Sequence, residues 1–456
     1  MKFHKGSYGK DTVQSNALVT NLLKYPEIAK TLIRQYPQYS LNYFVDGTSR
    51  FAKEEVIGDN AFKWAVLGRT NRPSTLTGTY SGTGVANAPF TFEVEENYIN
   101  PNDIVRFQDG TQAIVIGEAT ASAGGFTFSA KLQTNDATAT IANTNFTAGK
   151  TVNSAGSAFT EGSERGYENS VYPDWYVNYM KVSRKAKSIT GSALTDITWI
   201  ENNGERLWFF TEQKIMEEDF LYEREISDWY DQSTMDANGN AKVFDNNGKP
   251  IVAGDGILRQ IDAANVDTYN GTLTEERITD FLAQLSLNTG ETNSHWIVYT
   301  GTAGKVAFHK AMKDLVYPSG NLIYDAKVGA ETEIGVNFTT YNALGSRLTL
   351  AHCPIFDDPN LHTDIDPASG YLKESFRMVF LNFGQTDGVA NIERKVKGAG
   401  GINRSMIIKY LPGMVDPFNQ SQMMAVSSRD SFSMEVLSES GMVVRNPLSC
   451  GQLIFA

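Results

Sequence analysis

Histidine, cysteine and paired carboxylates are the residues with which this sequence could do chemistry. His352 stands beside Cys353, as a thiol–imidazole nucleophile would need, and Asp357 and Asp358 could form a carboxylate dyad. Adjacent residues of a strand point to opposite faces, so His352 and Cys353 are not expected to meet. The aspartates precede Pro359 in a segment typical of a turn. A structural role is expected for all four, and a carboxylate-dyad hydrolase stays open.

Motifs for phosphate and for metal ions are incomplete. Gly149-Lys150-Thr151 ends like a phosphate-binding loop, but the first glycine of that motif is missing. The run from Gly301 to Lys305 has too short a loop and is interpreted as a strand-to-helix turn. The run from Asp236 to Asn240 begins like a calcium loop, but Ala241 replaces its turn glycine and Asn247 its bidentate glutamate. A hairpin turn is expected there instead.

The remaining ligand-type residues do not form a site. Two cysteines exclude a disulfide framework and cannot alone supply a structural zinc site. No pair of histidines has the spacing of metal ligands on one helix; the five are His4, His295, His309, His352 and His362. We therefore assign no catalytic, cofactor-binding or metal-binding residue, and we expect neither a cofactor nor enzymatic activity.

Composition and charge narrow the classes of protein further. The chain has 456 residues, and 40 Lys and Arg against 52 Asp and Glu give a net charge of −12. A basic surface that binds nucleic-acid phosphates is therefore not expected. No stretch approaches the roughly 18 apolar residues of a membrane helix, and no apolar run at the start indicates a signal peptide. At 41% hydrophobic residues, the chain can bury a core.

Two segments before residue 160 differ sharply in composition. Residues 1–50 carry two short apolar stripes and are predicted to be an arm with two short helices, which need a surface to pack on. Residues 85–158 are rich in Gly, Thr, Ser and Asn and contain short apolar runs separated by Asp109-Gly110 and Gly124-Gly125. Such runs between turn residues are typical of a small antiparallel sheet or barrel. We predict a compact β module there, with a disordered linker as the alternative.

The strongest helical pattern lies at 196–230. Trp208, Ile215, Tyr222 and Trp229 recur every seven residues. Phe209, Met216 and Phe220 widen this apolar face, while glutamates occupy another side. At about 1.5 Å per residue this helix is a rod of roughly 50 Å, which suits a strut better than a catalytic pocket. Trp208 and Ile215 are predicted to pack on strands that include residues near the C-terminus.

The second half of the chain is predicted to mix helices and strands. Turn residues at 231–256 predict a hairpin. Thr274 is expected to cap a helix whose buried face is Ile278, Phe281, Leu282 and Leu285. A strand at 296–299 and a helix at 302–315 follow, the helix with Phe308, Met312 and Leu315 on its apolar face. From Ile334 onward the pattern is mostly strand.

This order of parts resembles the major capsid proteins of tailed phages, which have the Hong-Kong-97-type (HK97) fold. The segments 159–164 (FTEGSE), 176–180 (YVNYM) and 189–193 (ITGSA) resemble the returning limb of the extended loop of those proteins. The segment 433–451 resembles their closing strands. The composition, rich in Asn, Thr and Tyr, is most similar to capsid proteins of crAss-like phages.

The resemblance implies an α+β fold with named parts. These are an N-terminal arm (1–50), an extended loop (51–195) with the β-rich insertion at 85–158, a peripheral domain with a long spine helix (196–259), an axial domain (260–428) and closing peripheral strands (429–456). The helix at 302–315 is then expected near the symmetry axis of each capsomer, with 357–359 and the glycines at 398–401 as axial loops.

The resemblance also implies a function and partners. The chain would be the structural subunit of an icosahedral capsid, would assemble with itself into pentamers and hexamers in the host bacterial cytoplasm, and would enclose double-stranded DNA without sequence-specific binding. Decoration or auxiliary proteins, a portal and a scaffolding protein are the other expected partners, and no membrane is involved. The β insertion is expected on the outer surface, in contact with a neighbouring subunit or a decoration protein.

Two other functions stay open at this point. An encapsulin-like nanocompartment shell would share the fold, although the β insertion and the chain length disfavour it. A β-rich carbohydrate-binding protein of the phage surface would account for the Gly/Thr/Asn-rich insertion and the many aromatic residues. It would not account for the long helix or the closing segment.

Overall fold

The computed structural model of the chain describes residues 53–67, 73–163, 166–167, 170–192, 208–236, 238–289, 294–316, 340–386, 388–414 and 428–456. The arm predicted at 1–50 and the beginning of the helix predicted at 196–230 lie outside these ranges. Contacts between residues divide the chain into two compact units, one formed by 65–176 and the other by 1–64 with 177–456.

Strands dominate the described part of the chain before the first helix. They are β1 (Lys53–Ile57), β2 (Ala61–Val66), β3 (Ser74–Ser81), β4 (Phe90–Val94), β5 (Asp103–Arg106), β6 (Gln112–Val115), β7 (Thr120–Ser122), β8 (Gly125–Leu132), β9 (Thr151–Ser157), β10 (Asp174–Tyr179) and β11 (Lys181–Thr190). Strands β2 and β10 pair with each other.

Helices and strands alternate in the remainder. The helices are α1 (Trp208–Tyr230), α2 (Ile257–Gln260), α3 (Glu275–Thr289) and α4 (Thr302–Val316). The strands are β12 (Val266–Tyr269), β13 (His295–Thr300), β14 (Thr340–Ala343), β15 (Ser346–His352), β16 (Met378–Leu381), β17 (Gln385–Thr386), β18 (Val389–Ala390), β19 (Ile392–Ala399), β20 (Ile402–Asn403), β21 (Ile407–Pro412), β22 (Ser431–Val444) and β23 (Gly451–Phe455).

The unit formed by 65–176 contains a closed antiparallel barrel. β3 pairs with β4 and β9, β8 with β4 and β6, and β5 with β6 and β9, so six strands form a ring, and β7 is added to β8. The Asp109 carboxylate accepts a hydrogen bond from the Thr111 N–H at 2.8 Å in one predicted turn. At the other, Gly125 has φ +146°, and a Cβ on it would lie 2.1 Å from the Val94 carbonyl oxygen. Only glycine fits this close approach.

The barrel has its own apolar core. Its members are Leu76, Phe90, Phe92, Val94, Ile99, Val105, Phe107, Ala113, Val115, Phe128, Ala130, Ile141, Phe146 and Val152. The barrel begins at Ser74, earlier than residue 85, where the composition places the start of the module. The sequence misses β3 because most of its residues are Ser, Thr and Gly, so apolar alternation is absent there.

One sheet of the other unit packs against α1. Its strand order is β1-β19-β22-β11, with β20 on β19 and β21 on β22. The long strand β22 turns Phe432, Met434 and Val436 inward, where they meet Met216 and Phe220 of α1. The predicted packing of this helix on residues near the C-terminus is therefore confirmed for the helix as a whole.

The row of α1 residues that faces the sheet differs from the prediction. Ile215 is only partly buried, and the side chain of Trp208 lies outside the described part. The buried row instead runs Met216, Phe220, Arg224, Asp228, spaced four residues apart. Met216 and Phe220 belong to the predicted apolar face, whereas Arg224 and Asp228 are charged, so a search for apolar periodicity does not select them.

A second sheet has the order β12-β23-β16-β13-β15-β14 and carries α3 and α4. All four residues predicted for the buried face of α3 are buried, and Phe308 and Met312 of α4 join them in one core cluster. The predicted strand at 296–299 and helix at 302–315 are present as β13 and α4. These elements are confirmed.

The two sheets do not follow the predicted domain boundaries. β19 to β21 come from the segment predicted to be axial, yet they pair with β22 and lie in the sheet that carries α1. The glycines at 398–401 therefore form the β19–β20 turn of that sheet. Conversely, β23 leaves the closing segment and pairs with β12 and β16. The predicted hairpin at 231–256 is present as two successive tight turns with bridges Met235–Ala241 and Phe244–Pro250.

Candidate functional site

The histidine–cysteine pair is split between two environments. His352 Nε2 lies 2.7 Å from a carboxylate oxygen of Asp357, whereas Cys353 is fully buried in an apolar cluster with Trp229 and Phe356. The two side chains point away from each other, as expected for neighbouring residues of an extended chain. They do not form a nucleophile–base pair.

Asp357 caps the N-terminus of helix α4. Its carboxylate accepts hydrogen bonds from the Thr302 N–H at 2.9 Å, the Thr302 hydroxyl at 2.6 Å and the Ser375 hydroxyl at 2.5 Å. A Cβ on Gly301 would lie 2.6 Å from the same carboxylate, so the turn needs glycine. Burial alone would raise the pKa of Asp357, but hydrogen bonds from His352, Ser375 and Thr302 outweigh it and hold the pKa below its ordinary value.

Asp358 contacts a different helix from the one that Asp357 caps. It accepts a hydrogen bond from the Tyr222 hydroxyl of α1, and burial together with this carboxylate raises the pKa of Tyr222 well above its ordinary value. Asp357 and Asp358 thus serve different helices, and the structure does not bring them together as a dyad.

The calcium-like loop is a turn. Asp236 Oδ1 accepts hydrogen bonds from the N–H groups of Asn238 at 2.9 Å and Asn240 at 2.8 Å, so its carboxylate closes the turn. Asp245 does the same for Asn247 and Lys249. Among the described residues, no group of three or more His, Cys, Asp or Glu could hold a metal ion.

A cavity of about 370 Å³ opens beside β23, and charged side chains line it. Its cations are matched within the cavity wall: Arg377 lies 2.6 Å from Glu374, and Lys373 lies 3.4 Å from Asp364. Tyr230 also donates to Glu374 at 2.8 Å. Because these positive and negative side chains pair with one another, we interpret the cavity as part of the structural framework and not as a binding site.

Two networks of side-chain contacts were not predicted from the sequence, and the first consists of hydrogen bonds between uncharged groups. The Asn178 amide donates to the carbonyl oxygens of Asp255 at 3.0 Å and Met442 at 2.9 Å, and it accepts from the N–H groups of Tyr179 and Asp255. Gln260 reaches the same two carbonyl groups. This buried set of amides ties the junction of β10 and β11 to β22, and a single asparagine in the sequence gives no signal of it.

The second network is ionic and centres on β19. Arg394 is fully buried and lies 2.5 Å from Asp228 of α1, while Lys395 lies 2.7 Å from Glu393. Burial, and to a lesser extent the charge of Arg445, lowers the pKa of Lys395 to about 8. Asp228 and Arg394 are 166 residues apart in the sequence, so their pairing could not be predicted from it.

A group of exposed aromatic side chains lies in the chain between the barrel and β11. Tyr172 and Trp175 are 80% and 71% exposed, and Phe159, Tyr167 and Tyr176 are also exposed. Aromatic side chains are enriched in protein–protein interfaces, and exposed clusters of them mark such surfaces. We call 159–176 the aromatic limb, and it is the candidate assembly surface.

No described helix is long and apolar enough to cross a membrane. The curated proteins include no match to this sequence. A family model described as "Crassvirus major capsid protein" matches residues 1–456.

Solved structures also resemble the chain at low sequence identity. A chain from Gordonia phage Cozz has 9% identity and a TM-score of 0.40, with 100% of this chain and 98% of that chain covered. The capsid of an empty GTA particle has 9% identity and a TM-score of 0.40, with 94% and 95% covered. The SrpI encapsulin complex of Synechococcus elongatus PCC 7942 has 10% identity and a TM-score of 0.34, with 62% and 77% covered.

Proposed function

This chain belongs to the crassvirus major capsid protein family, and from that premise we propose how the subunit builds its shell. The chain is a structural subunit of a phage capsid, and the match of the family model over its whole length carries that conclusion. The subunits assemble with one another into pentamers and hexamers, which enclose the double-stranded DNA genome in the virion.

The aromatic limb is the surface through which neighbouring subunits hold one another. Tyr172 and Trp175 are 80% and 71% exposed, and burying an aromatic side chain is worth about 1.5–3 kcal/mol. These side chains are exposed in the isolated subunit and would be buried in the shell, so the subunit gains this free energy only on assembly.

The parts of the subunit take the roles that the family resemblance implies. Residues 1–50 are the arm, 51–195 the extended loop and 196–259 the peripheral domain with the spine helix α1. Residues 260–428 are the axial domain, apart from β19 to β21, which lie in the sheet that carries α1, and 429–456 are the closing strands, apart from β23. α4 and β13 lie near the capsomer axis, with 357–359 as an axial loop. Support comes from the order of elements, in which α1 follows the barrel and precedes the sheet that carries α3 and α4.

The chain encloses DNA without reading its sequence and without enzymatic activity. An excess of acidic residues disfavours tight binding of phosphates, which would oppose packaging and release of a genome. Assembly takes place in the host cytoplasm with a scaffolding protein and a portal, and involves no membrane.

The barrel projects from the extended loop on the outer surface and contacts a neighbouring subunit or a decoration protein. Its ring of six strands is closed, and outside the ring only the three-residue strand β7 has an unpaired edge, so the barrel offers mainly side chains and loops. Its exposed loops are rich in Thr and Asn, which suit a hydrated contact between proteins.

Electron microscopy of the purified, overexpressed chain tests this function. We expect shells, tubes or capsomers, and monodisperse monomers under all conditions would contradict it. The double variant Tyr172→Ser/Trp175→Ser should keep the far-ultraviolet circular dichroism of the wild type and lose assembly. Ile116→Ser, which changes an exposed apolar residue of the barrel, is the matched control and should assemble normally.

A further inference from the structure

Strand β1 is joined to its sheet by complementary charges. It lies at the edge of the sheet and pairs in parallel with β19, in the register Lys53–Glu393, Glu54–Arg394, Glu55–Lys395. Opposite charges therefore stand side by side at two successive positions, Glu54–Arg394 and Glu55–Lys395. A shift of one residue in either direction would leave only one of the two glutamates opposite a cation, so the charges favour this register.

Apolar contacts contribute little to this pairing. Ile57 packs only at the margin of a small cluster, and Val56 is largely exposed. β1 has five residues, and parallel pairing is slightly weaker per residue than antiparallel pairing. The attachment of β1 therefore depends mainly on ion pairs, whereas strands with a buried apolar face are held mainly by apolar contacts.

The pairs lie on both faces of β1. On one face, Glu54 lies 3.8 Å from Arg394 and accepts a hydrogen bond from Ser405 at 2.9 Å. On the other face, Glu55 pairs with Lys395 and lies 3.5 Å from Arg445. The Glu55 side chain is half exposed, so solvent ions can screen its interactions.

The groups beneath β1 stay paired without it. Arg394 keeps Asp228, and Glu393 keeps both Lys395 at 2.7 Å and Arg445 at 2.6 Å. Departure of β1 therefore leaves no buried charge alone, which would otherwise cost several kcal/mol. The sheet under β1 is compatible with both an attached and a detached strand.

The chain just after β1 is firmly anchored. The Asn60 carbonyl oxygen accepts from the Met180 N–H at 2.9 Å, and Phe62 is buried beside Met180 and Val443. The Trp64 indole donates to the Arg445 carbonyl oxygen at 3.0 Å. If β1 separated from β19, the separation would therefore end at Asn60. The exposed hydrogen bond from Lys397 to the Asn60 side chain would be weakened too.

We propose that β1 is an electrostatic latch, a strand that detaches from β19 when its ion pairs are screened or replaced, while the rest of the sheet stays folded. Detachment frees residues 53–59 to adopt different paths. This use of the latch rests on the proposed function, because subunits in pentamers and hexamers meet unequal neighbours. The latch itself is a property of the single subunit and can be measured without assembly.

Hydrogen–deuterium exchange of the full-length, unassembled chain tests the latch. Peptides covering β1 and β22 are compared at about 50 and about 500 mM NaCl, which brackets strong and weak screening. We expect protection of β1 to fall about tenfold or more at high salt while β22 keeps its protection. The variant Glu54→Gln/Glu55→Gln should show the open pattern already at low salt, with little further response to salt.

The control is Glu95→Gln/Glu96→Gln, which removes the same charge from exposed positions of the barrel unit and should behave as wild type. Three outcomes would overturn the latch: unchanged protection of β1 at high salt, loss of protection in β1 and β22 together, or wild-type protection in the Glu54→Gln/Glu55→Gln variant. Electron microscopy of the same samples reports assembly independently, so failure of the latch and failure of the capsid function give different results.

Discussion

At the scale of single residues, Asp357 holds the beginning of α4 against the neighbouring loop. Asp357→Ala removes the cap and leaves the Thr302 N–H without its acceptor, so we expect a loss of about 1–3 kcal/mol in the free energy of unfolding. Urea unfolding of the unassembled subunit measures it. Asp364→Ala, which removes an exposed carboxylate 3.4 Å from Lys373, should cost less than about 1 kcal/mol. Equal losses would contradict the capping role.

The same carboxylate predicts a dependence on pH. Because hydrogen bonds lower the pKa of folded Asp357, the unfolded chain binds more protons as the pH falls through the ordinary carboxyl range. The stabilisation is therefore complete above the ordinary pKa of 3.8 and is lost as the pH falls through the lower folded value. Asp357→Asn should be less stable than wild type at pH 7, and the difference should shrink in acid. A difference independent of pH would show that the charge is irrelevant.

Arg394 is the residue whose loss should be most costly. Arg394→Met leaves the Asp228 carboxylate buried without its partner, so we expect destabilisation by about 3–5 kcal/mol. The double variant Arg394→Met/Asp228→Leu should recover most of that loss, since no buried charge remains. Arg184→Met breaks an exposed pair at 3.6 Å and should change stability by less than about 1 kcal/mol. Additive losses in the double variant would refute the pairing.

For single residues, the sequence excludes a wrong role more reliably than it identifies the right one. Strand geometry separates His352 from Cys353, and the missing glycine and glutamate exclude a calcium loop at 236–240. The partners of Asp357 and Arg394 come instead from segments far apart in the chain. Only the fold brings those segments together, so no local pattern predicts the contacts.

At the scale of elements, α1 shows where apolar periodicity misleads. Phe220 is buried against β22, whereas Ile215 is only partly buried. Phe220→Ala should therefore cost about 3–5 kcal/mol, and Ile215→Ala clearly less. Thermal and urea unfolding of both variants measure this, and a larger loss for Ile215→Ala would show that Ile215 rather than Phe220 is the main buried residue of this face.

Elements with a purely apolar face are predicted well. All four expected residues of α3 are buried, and the runs beginning at Phe90, Ile104, Ala113 and Phe126 lie on barrel strands β4, β5, β6 and β8. β3 is missed because it contributes few apolar residues, and β1 because charges hold it. Sheet membership is also missed, since pairing of β19 with β22 depends on tertiary contacts.

At the scale of the whole molecule, the barrel is the part that can be removed. Its apolar core comes entirely from 76–152, so replacing 73–158 by a short Gly-Ser linker should leave the other unit folded. Deleting only 88–157 is the informative comparison, because it leaves β3 without β4 and β9 and should lower solubility. If the barrel contacts a neighbouring subunit or a decoration protein, as proposed, shells lacking 73–158 should melt about 5 °C or more below wild type or lose accessory proteins. Calorimetry and protein composition of purified particles measure both effects. Shells of unchanged stability that keep every accessory protein would show that the barrel has no structural role.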